Sequence, residues 1–499
     1  MPGPTRLLGC ALAVATLTAC APGVADPAPP AASQATTTTT KKPAPSRPAQ
    51  PVKPVTTDRG RQSPGVIAAG FEAPYNYAPS VMLEGGRYRM WWCSQVRHAE
   101  PGGDDVLYAD SASPDGGFAG PDGSSALAVL SGSTHGWDGV HTCDPSVLKV
   151  GGTYYMYYTG APGDVPFGSL VGVATSPDGI NWTRAAGGNP ILGPANDTIR
   201  DNHYGSGQPS AVYVDGWFYL LFTDTTAKAA GWNGAGQFVL RAKDPTFGSQ
   251  VEALGAAGWE KVADTRKPRT RSVVDAFSAD WMYVDALRAF LIAHSTDAGT
   301  TLTFWNHDFA TQPFPPLHIP GPWKEGPGLV RTPEGHAPIS AEDPCGRMSV
   351  DVMRATVTGA AGAPTDIGHF GLDLVNIPGC RTKAQASVLN GFAVPSPENT
   401  IDLVVDGKVV RVERRSVTDR LATRVLAQRP DIVDELPVVA RIPAGVKAVR
   451  APNGQTGLLV DGKLWRVGPE EVAKLNSSPV TPVTQQQWDA FDHAGALNR

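Results

Sequence analysis

Charge is scarce in this chain: Asp, Glu, Lys and Arg make up 18 % of its 499 residues, against 41 % hydrophobic. That balance argues against a coiled coil or an ordinary helical protein. No long basic run is present and the formal net charge is −5, so the electrostatic footprint of a nucleic-acid partner is missing. There is no His-Glu-x-x-His motif and no Cys-x-x-Cys or His-x-x-x-His pair, which removes the common zinc patterns. The apolar run at residues 7–17 is too short to span a bilayer, and a polytopic membrane protein is set aside. Glycine (55) and proline (46), the punctuation of turns, are plentiful. With 12 Trp and 12 Tyr, the composition predicts a turn-rich sheet protein of two or three domains, and the aromatics also suit a sugar-binding surface.

The first residues give an address. Arg6 is followed by the apolar run, which reads as a signal peptide over residues 1–19. It ends in Leu17-Thr18-Ala19-Cys20, which resembles the lipobox of bacterial lipoproteins; the resemblance implies lipidation at Cys20 and an extracytoplasmic protein anchored to the cell membrane. Residues 20–62 are Ala/Pro/Thr-rich, too poor in apolar residues to fold, and read as a linker. The remaining cysteines, Cys93, Cys143, Cys345 and Cys380, are even in number, as expected of disulfides in an oxidising compartment. Three pairings are open. Cys93–Cys143 with Cys345–Cys380 closes the shortest loops.

The middle of the chain repeats. Ala78-Pro79-Ser80-Val81, Asp144-Pro145-Ser146-Val147 and Gln208-Pro209-Ser210-Ala211 each open a strand, a glycine-containing turn and an aromatic-rich strand. A weaker fourth copy starts at Ser278, and a fifth is expected near Ala337-Pro338-Ile339-Ser340. Such hairpin units cannot bury both faces alone, and stacking them in a ring does so. The expected fold is all-β: a five-bladed β-propeller over residues 63–385. A small α+β accessory domain with two short repeats follows over residues 390–499. Its hairpins, around Asp406-Gly407 and Asp461-Gly462, suit either a binding module or a structural cap.

The stretch Tyr154-Tyr155-Met156-Tyr157-Tyr158-Thr159-Gly160, followed by Val171-Gly172-Val173-Ala174-Thr175-Ser176-Pro177-Asp178-Gly179-Ile180-Asn181-Trp182, resembles the five-bladed propeller glycosidases. That superfamily includes arabinanases, β-xylosidases, invertases and mannoside phosphorylases. The resemblance implies a glycoside hydrolase acting through two carboxyl groups at the starts of innermost strands. Asp144, in its Asp-Pro context, is the first candidate. In arabinanase-like enzymes, however, the general base belongs to the first blade, where this chain has Ala78, and the second-blade Asp tunes the acid. Glu325-Gly326-Pro327 resembles the general-acid motif of the same enzymes but falls between the fourth and fifth blades. Asp280 is the third candidate, aligned with Ser80, Ser146 and Ser210 on the face that Asp144 shares.

Polar and aromatic groups at equivalent loop positions complete the expected substrate-binding rim: Asn76, Tyr77, Asp201, His203, Tyr204, Gln208 and His336, with Trp137 and His141 beside them. A bridge between Cys93 and Cys143 would staple adjacent blades next to Asp144, because antiparallel pairing returns a second-strand end to the level of a first-strand start. No cofactor is required, and the resemblance allows a structural Ca²⁺ in the central channel. The expected partners are a carbohydrate and, through Cys20, a membrane; nucleic acid is excluded and a monomer is expected. The alternative is a non-catalytic propeller that binds glycan or protein at the cell envelope.

Overall fold

The computed structural model describes residues 54–69, 74–96, 99–163 and 165–497. Cys20, the signal segment and most of the linker lie outside the described residues. Apart from short helical segments these residues form six β-sheets, and none of their helices is long and apolar enough to cross a membrane.

The four legible hairpins form. Asn76–Glu84 pairs with Arg87–Ser94, His141–Val150 with Thr153–Ala161, Ser206–Val214 with Trp217–Asp224, and Ala279–Val284 with Ala289–Thr296, all antiparallel. Gly85-Gly86 and Gly151-Gly152 make two of the turns with positive φ at both residues, the twist that matches antiparallel strands. Further strands extend each sheet outward.

The fifth unit departs from expectation. Ala337-Pro338-Ile339-Ser340 lies in a loop, and the inner strand is Glu325–Arg331, paired antiparallel with Arg347–Thr358. Pro364–Val375 comes next, and the outer strand is Thr56–Gln62, supplied from the other end of the chain. The sequence places Thr56–Gln62 in the linker because its side chains, almost all exposed, show no apolar alternation. Backbone pairing holds it, reinforced by Arg61 on Asp351 (2.8 Å) and Asp373 (2.7 Å).

The five inner strands touch in chain order, and the last returns to the first: Glu325–Arg331 pairs parallel with Asn76–Glu84, Val330 opposite Val81. A hydrogen-bond relay runs round them. The Ser80 hydroxyl accepts from the Val147 N–H (3.0 Å), Ser146 from Ala211 (2.9 Å), Ser210 from Trp281 (3.3 Å), and the Asp280 carboxylate from Leu329 (2.7 Å). Gly328 stands where the others carry a polar side chain. A Cβ there would collide with the Pro79 carbonyl oxygen, so glycine is what lets the last inner strand approach the first.

Arg331, 2 % exposed, fills the middle. Its guanidinium donates to the Ser210 hydroxyl (3.3 Å), the Ala211 and Trp281 carbonyls (3.1 and 3.0 Å), and the Ser80 and Ser146 hydroxyls (both 3.4 Å). It lies 3.1 Å from Asp280 Oδ1. One side chain thereby ties all the other inner strands together, and its charge is matched by a carboxylate.

Two five-stranded sheets with the helices Arg415–Leu421, Glu470–Leu475 and Gln485–Asp489 make up the C-terminal part. The repeated hairpins turn at Asp406-Gly407 and Asp461-Gly462, all four residues at positive φ. The first of these sheets shares a continuous apolar core with the fourth and fifth units, Val404 and Ile432 clustering with Leu291, Leu329 and Leu374.

Candidate active site

Four of the inner strands begin with the same kink. The register slips between Tyr77 and Ser80, Cys143 and Ser146, Gly207 and Ser210, and Glu325 and Gly328. The residue before the proline takes a positive φ in each: Ala78 at 46°, Asp144 at 49°, Gln208 at 47° and Gly326 at 36°. A non-glycine residue there costs about 1–3 kcal/mol, and a residue preceding proline normally prefers extended backbone. Because Ala78 shares the strain, the kink belongs to the fold; Asp144 and Gln208 exploit it. Together with Ser278, these positions line a hollow of about 30 Å³ over Arg331, too small for a sugar. A sugar-sized molecule has room only outside this hollow, at its mouth.

Asp144 is buried, with its Oδ2 accepting from the Tyr204 hydroxyl at 3.2 Å and standing 3.5 Å from His141 Nε2. Its Oδ1 is buried with no hydrogen-bond partner among the described residues, an uncompensated acceptor of the kind found where a ligand belongs. His141 bonds through Nδ1 to Asp104 Oδ2, and the Tyr75 hydroxyl donates to Asp104 Oδ1. Burial disfavours the imidazolium, but hydrogen bonds and charge from Asp104 and Asp144 outweigh it and raise His141 to about 10. Burial, with the Asp144 charge beside it, holds the Tyr204 phenol well above its usual range, so it stays a donor.

Glu325 opens the fifth inner strand and accepts from the Gln208 amide at 3.1 Å. Burial first, and then the negative charges of Asp144 and Asp104, push its carboxyl up to about 7, opposed by the His141 cation and the Gln208 hydrogen bond. Tyr77, half-buried, is raised by burial and by the same three carboxylates, which places it among them. The motif Glu-Gly-Pro thus marks an inner-strand start, the place the fourth-to-fifth spacing had hidden.

Other expected groups fall elsewhere. Asp280 has both oxygens engaged, by Arg331, the Ser210 hydroxyl and the Leu329 N–H, and serves the hub rather than the mouth. Asn76 is buried, accepting from the Trp92 indole (2.9 Å) and the Ser94 hydroxyl (3.2 Å), so it is not a rim residue. His336 bridges Asp285 and the Tyr213 carbonyl, both at 2.7 Å, at the opposite ends of the inner strands. Asp201 is exposed and touches neither carboxylate. His203, packed edge-on against Phe167, and Tyr204 line a cleft of about 420 Å³ with Asp104 and His141. Trp137 stacks on Tyr158 and is half-buried. Asp104 and Tyr75 carry no motif, and sequence reading missed both. A larger cleft of about 790 Å³ lies beside the Cys345–Cys380 bridge, but no buried, unpartnered polar atom faces it among the described residues.

The disulfides pair Cys93 with Cys143 (Cα–Cα 4.9 Å) and Cys345 with Cys380 (5.3 Å). The first sits directly before Asp144. Cys93, Cys143 and Asp104 are close enough to suggest a metal site, but the bridged sulfurs do not ligate. The Ca²⁺ allowed by the resemblance does not fit the space between the inner strands either, because the fixed Arg331 guanidinium already fills it.

No family model matches this chain, and no curated protein matches it. Solved structures do. A family 117 glycoside hydrolase from the marine bacterium Zobellia galactanivorans aligns at 13 % identity and TM-score 0.40, over 63 % of this chain and 90 % of its own. The catalytic domain of a family 62 α-L-arabinofuranosidase from Coprinopsis cinerea gives 13 %, 0.40, 63 % and 97 %. A structure from the family 130 mannoside phosphorylases, described as containing hydrolases of β-1,2 mannosidic linkages in Candida mannan, gives 13 %, 0.38, 64 % and 95 %. These neighbours are glycoside hydrolases, the group the sequence resembles, and at such remote likeness the chemistry rests on the residues alone.

Proposed function

We propose that the chain is a five-bladed β-propeller glycoside hydrolase, exported and lipid-anchored through Cys20, that cleaves a cell-wall or related glycan with Glu325 as general acid and Asp144 as the second carboxylate. The observation that carries this reading is Glu325: a carboxyl raised to about 7 beside a second carboxylate, at the mouth of a strand-lined hollow. A carboxyl group whose surroundings favour its protonated form, beside a second carboxyl group, is what glycosyl transfer to water needs. The cyclic contacts of the inner strands support the propeller, and two disulfides suit an oxidising compartment.

In the proposed reaction Glu325 gives its proton to the leaving glycosidic oxygen as the C1–O bond breaks. Asp144 serves the developing positive charge at C1 or the incoming water, held in place by Tyr204 and His141. Gln208 fixes the Glu325 carboxyl by donating its side-chain N–H to Glu325 Oε1.

The test is sugar release from aryl glycosides and wall polysaccharides by the wild type, Asp144→Asn and Glu325→Gln, each checked for folding by circular dichroism. The wild type should release sugar and both variants should lose at least a hundredfold. Release that survives either substitution removes that residue from the reaction; a wild type that binds glycan and releases nothing is the non-catalytic propeller instead.

A further inference from the structure

The carboxylate pair is flanked by a cleft on each side. The first, of about 420 Å³, reaches His141 and Tyr204; the second, of about 540 Å³, is lined by Gln208, Glu325, Phe277, Trp323 and Trp232. Asp144 and Gln208 both line the small hollow between them.

Trp232 is the unusual member. It is 80 % exposed, the one tryptophan among the large exposed hydrophobic side chains of the described residues. An indole left in water on a mobile loop would mean little, but this loop is pinned. The Arg200 guanidinium donates to the Ala227 carbonyl (2.9 Å) and the Gly231 carbonyl (3.3 Å), the Gly231 N–H bonds Ala235 (2.7 Å), and the Asn202 N–H bonds the Asn233 side chain (3.0 Å). Gly234, at φ 90°, presses so near Thr225 that a Cβ would lie 2.8 Å from its Cα. Phe277 meets the indole edge-on at 6.2 Å, and Trp323 is fixed by its own indole N–H on the Thr296 carbonyl (2.7 Å). The fold thus spends order on keeping an aromatic face in solvent beside Glu325. Such faces mark ligand grooves. The C–H face of a sugar ring suits it, with Asp275 and Lys324 as charged hydrogen-bonding ends that have no ion-pair partner among the described residues. One charge of each sign favours a neutral chain over a polyanion.

We propose that the substrate is a neutral polysaccharide lying across both clefts, with Trp232 stacking on a sugar ring away from the scissile bond, so that cleavage is internal to the chain. This rests on the hydrolase reading above. An active site open on both sides takes a polymer through, whereas one closed on one side takes a chain end. The bond broken is the C1–O bond of an inner sugar; its oxygen takes the Glu325 proton, water supplies the oxygen that C1 gains, and the water proton passes to the second carboxylate.

The test uses the full chain on debranched arabinan, arabinoxylan and galactomannan. For the polymer that is cleaved, wild-type products should be oligosaccharides of mixed length from the first minutes, with viscosity falling ahead of new reducing ends; monosaccharide as the sole early product overturns internal cleavage. Trp232→Ala should raise KM for the polymer at least tenfold more than for the matching aryl glycoside, and Trp232→Phe should restore most of the difference. Equal losses on both substrates overturn the stacking role. Affinity electrophoresis of Glu325→Gln, with and without Trp232→Ala, reads binding without turnover. Trp232-dependent binding by a wild type that cleaves nothing keeps the subsite and overturns the hydrolase reading; binding indifferent to Trp232 overturns the subsite.

Discussion

His141 Nε2 stands 3.5 Å from Asp144 Oδ2, while Nδ1 of the same ring bonds Asp104. An imidazolium between two carboxylates links them and fixes the orientation of the one at the mouth.

Replacing His141 by Asn therefore leaves Asp144 with less positive charge beside it. With the carboxylate no longer held in its orientation, kcat/KM on aryl glycosides should fall by about 100-fold while circular dichroism stays unchanged. Unchanged kcat/KM would show that the ring acts only as packing. Stability depends on the ring as well: a cation raised to about 10 stabilises the fold fully below pH ~6.5, and that contribution is lost as pH rises through about 10. The melting-temperature lead of wild type over His141→Asn should shrink between pH 6 and pH 10.

Glu325 follows the same stability sign in a lower pH window and sets the alkaline limb of activity. Its folded carboxyl, raised to about 7, works only while protonated, so kcat/KM should fall above pH ~7. Folding binds its proton more tightly than the unfolded chain does, so stability falls as pH rises from about 4.5 to about 7 and stays lower beyond. Glu325→Gln should then raise stability at pH 8 by about 1–3 kcal/mol while removing about 10²–10⁴-fold of activity on unactivated glycosides. The activity loss should be smaller for aryl glycosides with good leaving groups, which need little protonation. Urea melts and a leaving-group series measure both.

Arg331→Met would strand the buried Asp280 charge. A loss of about 3–5 kcal/mol is expected, read from urea unfolding, and the double change Arg331→Met/Asp280→Asn should cost less than the two single changes added.

Removing the Cys93–Cys143 bridge by paired serines should cost about 2–5 kcal/mol and also reduce kcat, because Cys143 adjoins Asp144. The Cys345–Cys380 pair removed in the same way should destabilise without changing the pH profile, since its cleft is separate from the carboxylates.

Three hairpins were legible because a glycine turn and an aromatic alternation recur within 20 residues; the fourth, turning at Asp285-Ala286-Leu287-Arg288 without glycine, showed more weakly. The fifth inner strand was not: Gly326-Pro327-Gly328-Leu329-Val330-Arg331 has glycine where the others have Ser or Asp, and its partner starts only at Arg347 after a loop that carries a decoy Ala-Pro. Asp144 and Glu325 announced themselves through the prolines that follow them at one residue and two. Asp104 and Tyr75 reach the site from between motifs, and Arg331 works through partners about 50 to 250 residues away, which no local pattern encodes. Asn76 and His336 were read as ligands because polarity at a loop is visible in sequence while burial is not.

The outer strand Thr56–Gln62 gives the protein a place to absorb tension. A tug on the preceding segment is delivered to an edge ladder, to a bulge between Asp58 and Arg61, and to the grip of Arg61 on Asp351 and Asp373. Two strands separate Thr56–Gln62 from the strand that Glu325 opens. Pulling on the chain there would peel this margin first and leave the strand that carries Glu325 in place.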